Sequence, residues 1–307
     1  MPAHDHTPHL TATGAHRQRL IAVLAVVLVV GVAEVVGAVL SGSLALLADA
    51  GHLATDAAGI GLSLLAIRYA SRPPTAQRTF GYQRAEVLAA LGNALLLSAV
   101  AAVVLVEAVR RLIDPPSVAG PAVLTFAAVA VVGNIAAMLL LARGRSASIT
   151  LRAVFLELLG DALGSGAVLL AGALIAITGQ ARIDAVAAIA IACLILPRVW
   201  RLLREVMDVL LETAPAGVDM AHVRAHVLDV PGVVDLHDLH AWTITSGLPV
   251  LSAHVVIDEA TVAAGEGGRV LDNLCDCLAD HFDVEHCTFQ LEPSGHVEHE
   301  RGGHPCV

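Results

Sequence analysis

The chain has 307 residues, of which 56% are hydrophobic and 15% are charged, and its mean hydropathy of +0.75 excludes an ordinary soluble domain. The formal net charge is −10, and acidic groups concentrate in residues 206–307, which hold 17 Asp and Glu but 3 Arg. This acidic segment argues against a nucleic-acid partner, which requires clustered positive charge, and it favours a cationic ligand.

Six apolar stretches dominate the first two thirds of the chain. Residues 1–19 before them are polar, carry four histidines and precede no small-residue cleavage site, so we expect a cytosolic tail rather than a removable signal peptide. Each stretch is long enough for a helix that crosses a bilayer, which needs about 20 residues. They cover residues 20–40, 44–68, 84–109, 118–142, 150–177 and 183–203. We therefore predict one six-helix transmembrane domain over residues 20–205.

Arginine residues set the predicted orientation, because short cytoplasmic loops of membrane proteins are enriched in positive charge. Twelve arginines fall on one side of the predicted helices, and three, Arg110, Arg111 and Arg182, fall on the other. The arginine-rich side includes both chain ends. We expect a multi-pass protein of the cytoplasmic membrane with both termini in the cytosol.

Residues 206–292 replace the long apolar runs by short helix and strand signals. The predicted elements are a helix over 220–228, strands over 233–244 and 250–258, a helix over 270–281 and a strand over 284–292. The order α-β-β-α-β predicts a small cytosolic ferredoxin-like domain. The remaining residues, 293–307, contain histidines and a cysteine and are expected to form a flexible tail that binds metal loosely or is simply solvated.

Ionisable residues inside the predicted helices are costly in lipid, so each is a functional candidate. Two pairs share an i, i+4 spacing that places both members on one helix face: His52 with Asp56, and Glu157 with Asp161. At about 1.5 Å per residue, all four lie near the middle of a core about 30 Å thick. Polar interhelical contacts are the alternative explanation. Matched spacing and depth favour a metal site, since three carboxylates and an imidazole suit tetrahedral Zn²⁺.

Glu34 and Asp49 are two further acidic residues of the helix interiors, and a buried polar contact explains each of them at least as well as a functional role. Asp49 lies on the helix face of Asp56, about two turns nearer the helix start, so a role in an exit path stays open. Metal ligands must be deprotonated, so metal binding releases protons and protonation expels metal. This chemistry predicts metal/proton exchange driven by the inward proton gradient.

Four segments resemble the cation diffusion facilitator family, which includes bacterial exporters of cobalt, zinc and cadmium. They are SGSLALLADAGHLATDAAG (41–59), FGYQRAEVLAALGN (80–93), the helix around Asp161, and HDLHAWTITSGLPVLSAHV (237–255). The resemblance implies a six-helix homodimeric metal/proton antiporter with a cytosolic metallochaperone-like dimerisation domain. It also implies that His52, Asp56 and Asp161 belong to the transport site.

Glu157 departs from the family pattern, because zinc-transporting members usually have His at this position. One neutral His and three carboxylates around Zn²⁺ leave one negative charge in excess, whereas two His and two Asp leave none. We expect the site to retain an extra proton or to hold metal more tightly. An oxygen-richer site should also tolerate Cd²⁺, Co²⁺, Mn²⁺ or Fe²⁺ beside Zn²⁺.

The resemblance implies further positions outside the helix interiors. The regulatory Zn²⁺ sites of the cytosolic domain would involve His237, His254 and Glu292, with His240 as a neighbouring candidate. Satisfied surface or core histidines are the alternative explanation. A charge interlock between membrane and cytosolic parts would join Arg84 to Glu212. The connection over residues 143–148 lacks the His-rich segment of some relatives.

Three other functions fit the sequence less well. No H-E-x-x-H motif occurs, and four ligands leave no position for the activated water of a metalloenzyme. A passive channel requires weak binding at several sites rather than one chelate. A membrane metal sensor is the alternative to export, although these residues include no signalling domain. We therefore predict a secondary transporter, not an enzyme, without an organic cofactor or nucleic acid, and with the lipid bilayer and a second copy of the chain as partners.

Overall fold

A computed structural model of the chain describes residues 14–142, 149–245, 247–281 and 286–296. The predictions about the histidines before residue 14, about the connection over 143–148 and about the tail beyond residue 296 lie outside the described residues.

Long apolar helices form the first part of the described chain. They are α1 (Gly14–Ser41), α2 (Leu44–Ala70), α3 (Ala85–Ile113), α4 (Gly120–Ala142), α5 (Ile149–Thr178) and α6 (Arg182–Leu210). Each of these six has the length and apolar composition that a membrane span needs. The predicted six-helix architecture is confirmed. The helix α6 continues past its predicted end at residue 203, because backbone hydrogen bonding continues into polar residues that a hydropathy criterion rejects.

Small residues bring three of these helices into close contact. A Cβ atom added to Gly120 of α4 would lie 2.6 Å from the backbone N of Ala176 on α5, and one added to Gly172 would lie 2.8 Å from that of Leu124. A Cβ atom added to Gly37 of α1 would likewise lie 2.5 Å from Cγ of Phe126 on α4. Glycine permits such backbone approach, which dispersion then stabilises. The arrangement fixes α5 against α4, and α4 against α1.

Asp184 links the start of α6 to the start of α2. Its carboxylate is buried and accepts hydrogen bonds from the Ser43 hydroxyl and from the backbone N–H of Leu44, the latter at 2.6 Å. The first N–H groups of a helix have no partner within the helix, and a negative charge there interacts favourably with the helix dipole. Asp184 therefore caps a helix that lies far from it in sequence.

The described chain continues with a small α+β domain. Its elements are α7 (Met220–Leu228), β1 (Val233–Thr243), β2 (Pro249–Ile257), α8 (Glu259–Ala264), α9 (Gly267–His281) and β3 (His286–Pro293). The strand order is β1-β2-β3, with β1 antiparallel and β3 parallel to β2. The predicted α-β-β-α-β order is confirmed.

The short helix α8 is an addition to the predicted order. Asp258 caps its first turn by accepting a hydrogen bond from the Thr261 N–H at 2.6 Å, and Gly265 ends it at φ 68°. Six residues are too few to show helical periodicity, so capping residues were its only sequence signal. The helices α8 and α9 together make the crossover that parallel strands β2 and β3 require.

Candidate metal sites

Three of the four predicted transport ligands converge. His52 Nε2 lies 3.6 Å from Asp56 Oδ2 on the same helix and 3.5 Å from Asp161 Oδ1 on α5. One ligand atom from each of the three residues lies within 4.8 Å of the other two. His52 and Asp161 are buried and Asp56 is half-buried. An imidazole and two carboxylates at these separations match a three-ligand zinc site with a fourth position open. We call these residues the triad.

Glu157 does not belong to the triad. Its carboxylate forms an ion pair with the guanidinium of Arg198 on α6, and the same Arg198 Nη2 atom lies 3.6 Å from Asp56 Oδ1. The structure therefore brings three of the four predicted ligands together and leaves Glu157 paired with Arg198. The physical reason is that a guanidinium offers a carboxylate charge-assisted hydrogen bonds, whereas neighbouring carboxylates repel it.

Arg198 is a functional candidate that sequence reasoning misses, because the orientation rule places it among the cytosolic arginines. The available signal is its position inside the predicted stretch 183–203, since an arginine within a span normally has an acidic partner. The positive charge of Arg198 also changes the expected net charge of the site. Three carboxylates, one guanidinium and a neutral imidazole sum to two negative charges, which a divalent cation balances. The excess charge expected from Glu157 is thus offset.

A cavity of about 390 Å³ lies beside two members of the triad, His52 and Asp161. The polar and charged side chains that line it are Asp49, His52, Glu157, Asp161, Arg198 and Arg201. Asp49 precedes His52 by one turn of α2 and is buried, and it accepts a hydrogen bond from the Ser165 hydroxyl at 2.8 Å. The cavity therefore extends from His52 and Asp161 to the predicted exit-path residue Asp49.

A second converging group lies in the sheet of the α+β domain. His237 on β1 and His254 on β2 are direct cross-strand partners, and their ring centroids are 5.0 Å apart. Glu292 on β3 is buried, with one carboxylate oxygen 3.1 Å from His237 Nε2 and the other 2.7 Å from His254 Nδ1. We call this group the sheet trio. The structure brings together these three predicted regulatory residues.

His240 does not join the sheet trio within the described residues. Its strand partner is Ser252, and a register irregularity separates it from His237. It lines a different cavity, of about 1170 Å³, together with Arg84 and Glu212. These two residues form an ion pair of 2.9 Å, although both are well exposed and such pairs contribute little stability.

Comparisons with known proteins cover almost the entire chain. The family model described as the cation efflux transmembrane domain matches residues 20–211, and that of the cation efflux protein, cytoplasmic domain, matches residues 215–294. The metal cation efflux system protein CzcD of Cupriavidus metallidurans is 41% identical over 94% of this chain and 89% of its own. The zinc transporter ZitB of Escherichia coli is 34% identical over 98% and 97%.

A Bacillus subtilis protein named as a cadmium, cobalt and zinc/H(+)-K(+) antiporter is 32% identical over 86% of this chain and 85% of its own. Among solved structures, the metal-bound C-terminal domain of the Cupriavidus metallidurans CzcD transporter is 45% identical, covering 24% of this chain and 99% of that one with a TM-score of 0.22. The family models and the full-length relatives lead to one conclusion: this chain is a multi-pass membrane protein that belongs to the cation diffusion facilitator family of metal cation efflux transporters.

Proposed function

We propose that the chain exports a divalent metal, with Zn²⁺ as its principal substrate, across the cytoplasmic membrane in exchange for protons. The observation that carries this proposal is the convergence of His52, Asp56 and Asp161 among apolar helices, beside a cavity that His52 and Asp161 line. Ionisable side chains at this depth cost free energy, so a group of them marks a functional site such as a transport pathway. The names of the relatives, which include zinc transporters and an H(+)-K(+)-coupled antiporter, support the same substrate class and mode.

Competition between metal and protons supplies the coupling. The imidazole nitrogen and carboxylate oxygens of the triad bind a metal only when they are deprotonated, so the ion displaces protons when it enters. Protons that later reach the same atoms lower their affinity for the metal and release it. A membrane that maintains an inward proton gradient therefore drives metal outward.

The ion pair between Glu157 and Arg198 supports zinc over harder cations. With Glu157 held by Arg198, the triad offers one nitrogen and two oxygens, and the fourth position of a tetrahedron is available to water. A site with four protein ligands, three of them carboxylates, would have been more favourable to Mn²⁺ or Fe²⁺. We therefore infer that Zn²⁺, Cd²⁺ and Co²⁺ are better substrates than Mn²⁺ and Fe²⁺.

We further infer that the protein is a homodimer joined through its cytoplasmic domain, with both termini in the cytosol. The match to the family's cytoplasmic domain supports the first inference, and the arginine distribution supports the second. The sheet trio would bind a regulatory Zn²⁺ through two imidazoles and one carboxylate, a donor set that suits this ion.

Reconstituted vesicles with an imposed pH gradient test the proposal. The expected result is that zinc accumulates while protons move in the opposite direction, and that a protonophore abolishes accumulation. Asp161→Ala should lose transport, whereas Asp114→Ala, in an exposed loop, should keep it. Zinc flux that ignores the gradient would contradict antiport, and flux that survives Asp161→Ala would contradict the site. Zinc binding without any flux would favour the alternative of a membrane metal sensor.

A further inference from the structure

Glu34 of α1 is a buried carboxylate that the transport site does not use. Its side chain is 0% exposed, and neither Oε1 nor Oε2 has a hydrogen-bond partner among the described residues. An ionised carboxylate in such surroundings loses its hydration and receives nothing in return. Glu34 therefore requires a proton or a cation at its oxygen atoms.

The neighbouring polar groups donate elsewhere. Asn134 of α4 donates from Nδ2 to the Ser165 hydroxyl oxygen at 3.1 Å, and Ser165 donates its one hydroxyl proton to Asp49 Oδ2 at 2.8 Å. The chain of donors thus ends at Asp49, which is the acidic side chain that interacts most strongly with Glu34. Two carboxyl groups that face each other in a buried site cannot both be ionised without a large repulsive cost.

We propose that Glu34 and Asp49 share one proton inside the membrane, and that this carboxyl pair supplies one of the protons exchanged for each metal ion. The proposal rests on the metal/proton antiport inferred above and adds a location for the counter-ion. The shared proton lies on an O–H bond of one carboxyl group and is donated to an oxygen of the other. On transfer, the O–H bond breaks and the proton passes to water in the cavity.

The positions of the pair and the triad connect the two sites. Asp49 precedes His52 by three residues on α2, and its hydrogen-bond donor Ser165 follows Asp161 by four residues on α5. His52 and Asp161 are the titratable groups that face the pair from these helices, while α4 contributes the uncharged Asn134. A divalent ion bound by the triad adds positive charge about one helical turn away, which favours the ionised form of the pair and releases the proton.

A proton fits this location better than a second metal ion does. The cavity at the triad is lined by Asp49 but not by Glu34, so the far side of the pair belongs to the packed helices. A metal ion needs room for several ligands at about 2 Å or more, whereas a proton needs none. Asp49 would act as the exchanging member that contacts the cavity, and Glu34 as the member behind it.

Infrared spectroscopy of the purified full-length protein tests the pair directly. A protonated carboxyl group has a carbonyl stretch that an ionised carboxylate lacks. We expect this band in the wild type at neutral pH, a loss of intensity when zinc is added, and its absence from Glu34→Gln. Glu107→Gln, which changes a carboxylate ion-paired with Arg111, is the matched control and should keep the band. A band that persists in Glu34→Gln, or that the wild type lacks, would overturn the proposal.

Asp49→Asn provides an independent check should Glu34→Gln fail to fold. The introduced amide would donate a hydrogen bond to Glu34, which would then need no proton, so the band should again disappear. Its persistence would contradict a shared proton.

Transport measurements distinguish failure of this inference from failure of antiport. In vesicles the Glu34→Gln variant should move about one proton fewer in the opposite direction for each metal ion than the wild type does. If the wild type itself shows no proton counter-flow, the proposed antiport fails. If the wild type couples protons to metal and Glu34→Gln keeps the same ratio, only the proton-sharing pair is refuted.

Discussion

Arg198 of α6 lies between two carboxylates of different helices, in an ion pair with Glu157 of α5 and with its Nη2 atom 3.6 Å from Oδ1 of Asp56 on α2. A side-chain cation thus contacts a member of the triad that the proposed transport site also uses. Entry of a divalent ion must weaken the contact between Arg198 and Asp56, because like charges repel at this separation. Arg198 and the metal are therefore expected to compete for the same carboxylate.

Replacing Arg198 by Leu should strengthen metal binding and slow its release. The change removes a competing cation and leaves Glu157 able to join the triad. We expect the dissociation constant for Zn²⁺ to fall about tenfold, equivalent to about 1.4 kcal/mol, and the maximal transport rate to fall with it. Titration calorimetry and vesicle flux measure the two effects. Arg201→Leu, which alters another arginine of the same cavity, is the control, and equal binding by wild type and Arg198→Leu would contradict the competition.

The single variant Glu157→His should bind Zn²⁺ more weakly than the wild type. Arg198 would keep its positive charge near the metal and would lose its ion-pair partner. The double variant Glu157→His/Arg198→Leu should recover binding and discriminate more strongly against Mn²⁺. A double-mutant cycle gives the coupling between the two positions, with competition of Mn²⁺ and Co²⁺ against Zn²⁺ as the readout. Independent, additive effects of the two substitutions would show that the ion pair does not influence the site.

Asp184→Asn should destabilise the transmembrane helices. The substitution removes the negative charge that accepts hydrogen bonds at the start of α2, and loss of such a cap costs about 1–2 kcal/mol. Thermal unfolding in detergent measures the change. Asp114→Asn, in an exposed loop, should leave the melting temperature unaltered, and an equally stable Asp184→Asn protein would show that the cap is dispensable.

Substituting one residue of the sheet trio should eliminate a metal site in the cytoplasmic domain and leave the triad unchanged. His237→Ala or Glu292→Gln is expected to reduce the zinc bound per full-length chain by about one ion, because each ligand set loses one of three donors. Equilibrium dialysis followed by elemental analysis gives the stoichiometry. His240→Ala is the matched control outside the trio, and a lower zinc content in this variant alone would place the site elsewhere.

The carboxylate of Asp258 should make the stability of the cytoplasmic domain depend on pH. Hydrogen bonds from Thr261 hold the pKa of this carboxyl below its usual range, so the folded state favours the ionised form. The resulting stabilisation is present above the unfolded pKa of about 3.9 and is lost as the pH falls through the lower, folded value. The neutral cap in Asp258→Asn should remove this dependence. Circular-dichroism melting measured between neutral and acid pH gives the melting temperature of both proteins. The same change of melting temperature with pH in both would contradict the role of Asp258.

Much of the fold follows from local sequence patterns. Continuous apolar runs specify the membrane helices, because a lipid environment leaves the backbone few alternatives to helix. Alternating apolar residues and turn signals specify the three strands of the cytoplasmic domain. The spacing of His52 and Asp56 places both on one face of α2 whatever the neighbouring helices do, and the structure brings them together with Asp161. The helix α8 was not predicted, because six residues are too few to show a helical period.

The composition of the candidate sites depended on tertiary structure, because contacts between helices are set by packing and not by spacing along the chain. Glu157 and Asp161 share a helix face, yet Asp161 joins the triad while Glu157 pairs with Arg198. The orphaned oxygen atoms of Glu34 likewise become visible only when α1, α2, α4 and α5 are assembled and every nearby donor is assigned. The sequence by itself determined the helices, the family resemblance and the residues worth considering. Tertiary packing decided which of their charges meet, since a charge buried in lipid must find its partner on a neighbouring helix.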